Sequence, residues 1–167
     1  MKKALAIFLA FIIGLSMSAQ IQNKLLGFSL GTTTKAEVYN KYKNESNFIA
    51  DGDEYYLLDT KFAGSKWDLV SFYFFHNKLA GVSFADLEHS TPMQLMESIW
   101  TDLKDKLRNK YSNYLIPTSP DMILYSDGIT NVSLKLTDLG SSGMGLILYY
   151  SNRALTEGKM DEEEGEL

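Results

Sequence analysis

The chain has 167 residues, 45% of them apolar, with a formal net charge of −5 and no cysteine. That length fits one domain with a real core. The missing cysteine excludes a thiol nucleophile, thiolate metal sites, disulfide staples and a cysteine lipid anchor, and the acidic balance lacks the basic footprint of a nucleic-acid binder.

Lys2 and Lys3 open the chain, Ala4 to Leu15 is continuously apolar, and Ser16-Met17-Ser18-Ala19 supplies small residues before Gln20. This is the layout of a secretory signal peptide, too short and too early for a comfortable membrane span. Cleavage after Ala19 is the expectation, with export to the periplasm or the medium. Without Lys2 and Lys3, 14 basic and 21 acidic side chains leave −7. No later stretch is apolar enough to cross a bilayer.

Ile21 to Leu30 reads as an extended lead-in that ends at Gly31. Thr34 with Glu37 forms a capping box, which predicts a helix from Lys35 to about Lys43 with Val38, Tyr39 and Tyr42 inward. Asn44 to Asp53 is polar and reads as a solvated turn. Its acidic cluster does not follow the calcium-loop pattern. Glu54 to Phe62 reads as a strand with Tyr56, Leu58 and Phe62 on one face.

Lys66 to Leu87 is the densest apolar stretch and predicts two antiparallel strands joined at His76-Asn77. With that loop Tyr73 faces Ala80, Ser71 faces Val82, Leu69 faces Phe84, Phe74 faces Leu79 and Phe72 faces Gly81. Both faces of this hairpin are largely apolar, whereas a sheet with one solvated face alternates more cleanly. Either helices cover both sides or one side is a binding surface. Phe72, Tyr73, Phe74, Phe75 and His76 are the candidate partner-binding residues, since aromatic anchors dominate interface energies.

Thr91, Pro92 and Gln94 mark the start of a second helix. Leu95, Met96, Ile99, Trp100, Leu103, Leu107 and Tyr111 give it a long apolar stripe, with Trp100 near the middle as the expected main anchor. Met122 to Ser126 and Thr130 to Thr137 flank Asp127-Gly128, a strong hairpin signal. Val132, Leu134 and Leu136 should point inward. Gly140 to Gly143 makes a turn, and Gly145 to Ser151 the last strand. From Arg153 the composition becomes charged and predicts a disordered acidic tail, 153–167.

The expected fold class is α+β: an antiparallel sheet of about six strands with two helices packed on it, within one domain, 20–152. Helix and three strands recur in each half, and Asn40-Lys41-Tyr42 recurs as Asn109-Lys110-Tyr111. This reads as a degenerate α-β-β-β tandem repeat with halves 31–87 and 91–152.

Reactive chemistry is sparse. The two histidines, His76 and His89, sit in no metal-binding motif, and no nucleophile elbow, phosphate loop or dinucleotide fingerprint occurs. No catalytic residue, cofactor or metal ligand is assigned from sequence.

Gly31-Thr32-Thr33-Thr34-Lys35-Ala36-Glu37-Val38 resembles the helix start of small envelope proteins of the SmpA/OmlA type. It is also similar to the repeats of the β-lactamase-inhibitor-protein-like fold, in which a helical segment precedes an antiparallel sheet. The lead-in further resembles small secreted proteins of Bacteroidetes with no assigned activity. The chain departs from the first type in lacking its Gly-x-Pro turn and lipid-anchoring cysteine, and from the second in lacking disulfides. The resemblance implies a non-catalytic envelope or secreted module that works by surface contact. The leading expectation is an exported binding module for a protein or peptide. The alternatives are a structural factor in cell-envelope assembly and, third, a hydrolase of unknown substrate.

Overall fold

The computed structural model describes residues 20–87, 93–139 and 144–165. The expected leader, the Thr91-Pro92-Gln94 helix start, the Gly140 to Gly143 turn and His89 lie outside the described residues or side chains. A small hairpin, β1 (Lys24–Leu25) and β2 (Phe28–Ser29), precedes α1 (Lys35–Tyr42). Four strands follow: β3 (Phe48–Asp51), β4 (Glu54–Phe62), β5 (Ser65–Phe75) and β6 (Lys78–Asp86). Then come α2 (Met93–Tyr111), a short 3-10 turn, and four more strands: β7 (Leu115–Ile116), β8 (Met122–Ser126), β9 (Thr130–Asp138) and β10 (Met144–Asn152). The described chain ends in α3 (Arg153–Gly165).

The protein is α+β, with antiparallel pairing throughout. Its main sheet has eight strands, not six, in the order β3-β4-β5-β6-β10-β9-β8-β7. Each helix-led half contributes a four-strand meander, and the last strands of the two meanders, β6 and β10, pair at the centre. Each half is therefore a helix followed by four strands. The extra strands, β3 and β7, are the outermost ones, short and bounded by polar or proline-rich sequence, so a pattern search for longer apolar runs passes over them.

α1 starts as its capping box dictates: Thr34 Oγ1 accepts from Glu37 N at 3.3 Å, and Glu37 Oε2 accepts from Thr34 N at 2.7 Å. The second bond, from the Thr34 backbone, and then a bond from the Thr34 hydroxyl to the same carboxylate oxygen at 2.8 Å hold the Glu37 carboxyl below its ordinary value. Val38 is fully buried, and the Tyr42 ring packs at 6.0 Å on Phe72 of β5. α2 covers the other half of the same face. Leu103, Leu107 and Tyr111 lie against Phe62, Leu148 and Tyr150. Ile99 and Trp100 are only partly buried. The main tryptophan anchor is instead Trp67, which is 1% exposed and packs at 5.8 Å on Phe84.

β4 does not keep Tyr56, Leu58 and Phe62 on one face, because Phe62 stacks on Phe84 in the core. Tyr55 and Leu57 face the core, while Tyr56 and Leu58 face the other side. Tyr55-Tyr56-Leu57-Leu58 is apolar in both phases, so alternation does not decide between them; pairing with β5 does. β9 follows its pattern, with Val132 and Leu134 fully buried.

The segment from Arg153 is a helix, which corrects the expected disordered tail. Ala154, Leu155, Lys159, Met160 and its glutamates are strong helix formers. Asn152 Oδ1 caps the start by accepting from Leu155 N at 3.1 Å. No residue of α3 is fully buried. It lies across one end of the sheet face opposite α1 and α2, where Gly158 sits on the Phe75 ring; a Cβ there would come within 3.2 Å of Phe75 Cε1. Among the described residues, no helix is long and apolar enough to cross a membrane.

Candidate functional site

The hairpin β5–β6 turns at His76 and Asn77, both at positive φ (46° and 60°), the two-residue turn whose twist matches the flanking strands. Phe74 faces Leu79 as expected. Beyond that pair a bulge between Tyr73 and Phe74 shifts the register by one. Tyr73 therefore faces Gly81 rather than Ala80, Phe72 faces Val82, Ser71 faces Ser83 and Leu69 faces Ala85.

This register divides the five candidate residues. Phe72 (0% exposed) and Phe74 (5%) belong to the core beneath α1, so they are corrected from binding residues to packing residues. Tyr73 stands half-buried on the opposite face. Phe75 also points to that face and is roofed by α3. His76 is exposed, stacks on Phe75 at 4.0 Å and pairs through Nε2 with Glu162 Oε1 of α3 at 3.2 Å. Beside that pair, Lys35 binds Asp53 at 2.8 Å, which accounts for one of the acidic side chains in the 51–54 turn. Hydrogen bonding to Lys35, then its charge, holds the Asp53 carboxyl below its ordinary value.

The face opposite α1 and α2 carries one continuous row across all eight strands. In order from β3 to β7 it runs Ile49, Tyr56, Ser71, Ser83, Tyr149, Ser133, Leu124 and Ile116. Small residues, Ser71, Ser83, Ala85 and Gly81, occupy its centre, and large ones rise around them. The result is a cleft of about 410 Å³ with Leu69, Leu87 and Ile147 on its walls, Tyr73 and Tyr149 at one end, and a serine-lined floor. Among the described residues, Lys135 is the one charged residue that lines it.

Tyr149 shapes this cleft, and glycine makes room for it. An ideal Cβ on Gly81 would stand 2.4 Å from Tyr149 Oη and 2.7 Å from Cε2, so the phenol lies directly over the β6 backbone. Tyr73 meets the Tyr149 ring edge-on at 5.9 Å, with Tyr73 Oη 3.3 Å from Ser83 Oγ. Burial pushes the Tyr149 phenol up, while hydrogen bonds with the Thr156 and Ser151 side chains pull the other way. Thr156 belongs to α3, so the terminal helix lies beside the cleft's end wall. The signal for Tyr149 in the sequence was only the apolar run of β10. Its place beside Tyr73 depends on β6–β10 pairing, which joins residues far apart in the chain.

The tyrosines give this architecture an alkaline limit. A hydrogen bond to Glu54 Oε2 at 2.7 Å is the main cause that pushes Tyr56 up to about 12 from 10.0. Burial raises Tyr149, Tyr150, Tyr125 and Tyr42 as well. Each phenol holds its proton more tightly when folded, so the unfolded chain loses protons first. The stability these tyrosines contribute is then constant below about pH 10 and is lost as pH rises from about 10 towards 12. Tyrosinate absorbance followed alongside circular dichroism should show part of the tyrosines titrating only as the fold is lost. Titration of all ten tyrosines near pH 10 in the folded protein would contradict this.

The cleft can receive an apolar group, offer hydroxyls to its polar edge and place one ammonium beside it. Among the described residues, no group of three or more histidine, aspartate or glutamate side chains is arranged to hold a metal ion. Comparison with protein-family models, curated proteins and solved structures returns no match.

Proposed function

We propose that the protein is an exported, non-catalytic binding module whose open sheet face receives a protein or peptide partner. The observation that carries this reading is the cleft built around Gly81: small residues at the sheet centre beneath half-buried Tyr73 and Tyr149, on the face that α1 and α2 leave uncovered. Buried aromatic anchors surrounded by small residues are a common source of interface energy. Leu58 (38% exposed) and Ile49 (47%) extend the same face towards β3 and add apolar area around the cleft. The binding surface is thus Tyr73, Tyr149, Leu69 and Ile147, a revision of the aromatic run 72–75.

The test fills the cleft without disturbing the core. Ala85 lies at the cleft's floor between Leu69 and Ile147 in register. Ala85→Phe should occupy the cleft and abolish capture of the partner by the tagged chain in extracts of its own host, with the melting transition nearly unchanged. Ile49→Ala, at the rim, should weaken capture by less. A partner still captured by a folded Ala85→Phe protein overturns the open-face reading.

A further inference from the structure

The sheet ends at β7, and three features meet there that core packing leaves unexplained. β7 is the outermost strand. Its inner side pairs with β8 through Leu115↔Tyr125 and Ile116↔Leu124, and no strand pairs its outer side among the described residues. Leu115 and Ile116 are 52% and 38% exposed, adjacent in the chain on that free edge. Sheet edges are ordinarily guarded by charged side chains, bulges or a covering loop, because unpaired N–H and C=O groups recruit other strands. β7 carries no charge of its own and is limited only by its length and by Pro117.

Behind this edge runs α2. Lys104 and Arg108, one helical turn apart, line a cleft of about 310 Å³ together with Leu115, Ile123 and Tyr125. Other cations of α2 are engaged: Lys106 with Asp102, and Lys110 with the side chain of Gln22. Lys104 and Arg108 have no ion pair or hydrogen-bonded partner among the described residues, and Asp105, between them in sequence, does not line the cleft. Arg108 stands close enough to the Tyr125 phenol to oppose the upward push of burial on it. The far wall is stiff. Pro117 and Pro120 fix two backbone angles, and Thr118 Oγ1 donates to the Met122 carbonyl.

We propose that the β7 edge and this cleft take an extended acidic peptide segment, added to the sheet as a further strand. Its backbone pairs with β7, an apolar side chain lies against Leu115, and its carboxylates reach Lys104 and Arg108. A free inorganic anion would use only the cations, and a purely apolar peptide only the edge. An acidic strand uses all three features, as strand addition does when main-chain bonds give affinity and side-chain pockets give selectivity. The chain's overall negative charge does not oppose this, because at physiological ionic strength charges beyond about 8 Å are largely screened and the two local cations decide. The site is separate from the open-face cleft and shares no lining residue with it.

The experiment is selection of displayed random peptides on the purified full chain, followed by affinity measurement with the best synthetic binder. Enriched peptides should alternate apolar residues with aspartate or glutamate. The binder should lose about tenfold or more in affinity on Lys104→Glu combined with Arg108→Glu, as expected for two exposed ion pairs reversed to repulsion. Methylating alternate backbone amides of the same peptide should weaken it similarly, a readout that needs no protein variant. Ala85→Phe should leave its affinity unchanged, which separates this site from the open face. No enrichment of acidic peptides, equal enrichment on the charge-reversed chain, or a binder indifferent to amide methylation overturns the proposal.

Discussion

Trp67→Ala should destabilise the protein by about 3–5 kcal/mol, the usual cost of deleting a fully buried large aromatic. Trp67 is 1% exposed, packs on Phe84 at 5.8 Å and donates from Nε1 to the Phe62 carbonyl at 3.0 Å. The truncation thus opens a cavity and leaves that carbonyl without its indole donor, two penalties that add. Phe62 stacks on Phe84 at 4.0 Å, and Phe84 meets Tyr150 edge-on, so the loss reaches the join between the two halves. Trp100→Ala removes a side chain that is only partly buried on α2 and should cost about 1–2 kcal/mol. For a chain of this size the first variant should melt roughly 10–15 °C lower and the second only a few degrees lower. Chemical denaturation of both checks the ranking. Equal losses would place the core's centre on α2 rather than on the β4–β5–β6 strands.

The two tryptophans show which parts of this fold could be read from sequence. Helical spacing places Trp100 on the apolar stripe of α2 but says nothing about how closely the sheet approaches it. Trp67 looks like the ragged start of a strand. Trp67 and Val70 are both buried although three residues apart, so strict alternation fails between them, and Asp59 adopts φ 51° on the paired strand opposite that point. What is set by neighbours in the chain was legible: the Thr34–Glu37 box, the His76-Asn77 turn, the Asp127-Gly128 turn and the clean alternation of β9. The Asp127 turn closes as its sequence predicts, with Oδ1 accepting from Ile129 N and Thr130 N.

What depends on distant pairing was not legible. A single bulge beside Phe74 altered the facing residue for the rest of the central hairpin. The acidic terminus had helix-forming residues, yet its charge pattern masked them. A surface it rests on, the Phe75 ring, comes from β5. Half of the candidate site was therefore visible, in Tyr73, and half was not, because Tyr149, Ser83 and Ala85 join it only once β6 pairs with both β5 and β10.

Gly81→Ala should be costly for the same reason that the cleft exists. Gly81 is not among the glycines with positive φ, so its backbone conformation would accept alanine. The obstacle is space, with Tyr149 Oη at 2.4 Å and Cζ at 2.8 Å from the new methyl group. Tyr149 cannot swing aside freely, since Tyr73 meets it edge-on. Overpacking of this kind costs about 1–3 kcal/mol. Tyr149→Phe should give little relief, because Cε2 and Cζ remain within 2.8 Å of the added carbon. Tyr149→Ala removes the clash, so the double variant should lose clearly less stability than the sum of the single losses, a favourable coupling of about 1 kcal/mol or more. Displacing Tyr149 also moves the cleft's end wall. Gly81→Ala should therefore weaken partner capture more than its stability loss accounts for, whereas a core change of similar cost such as Val132→Ala should not. Strict additivity of Gly81→Ala and Tyr149→Ala in a denaturation cycle would mean that the phenol does not rest on β6 in solution, and the shape of the cleft would have to be redrawn.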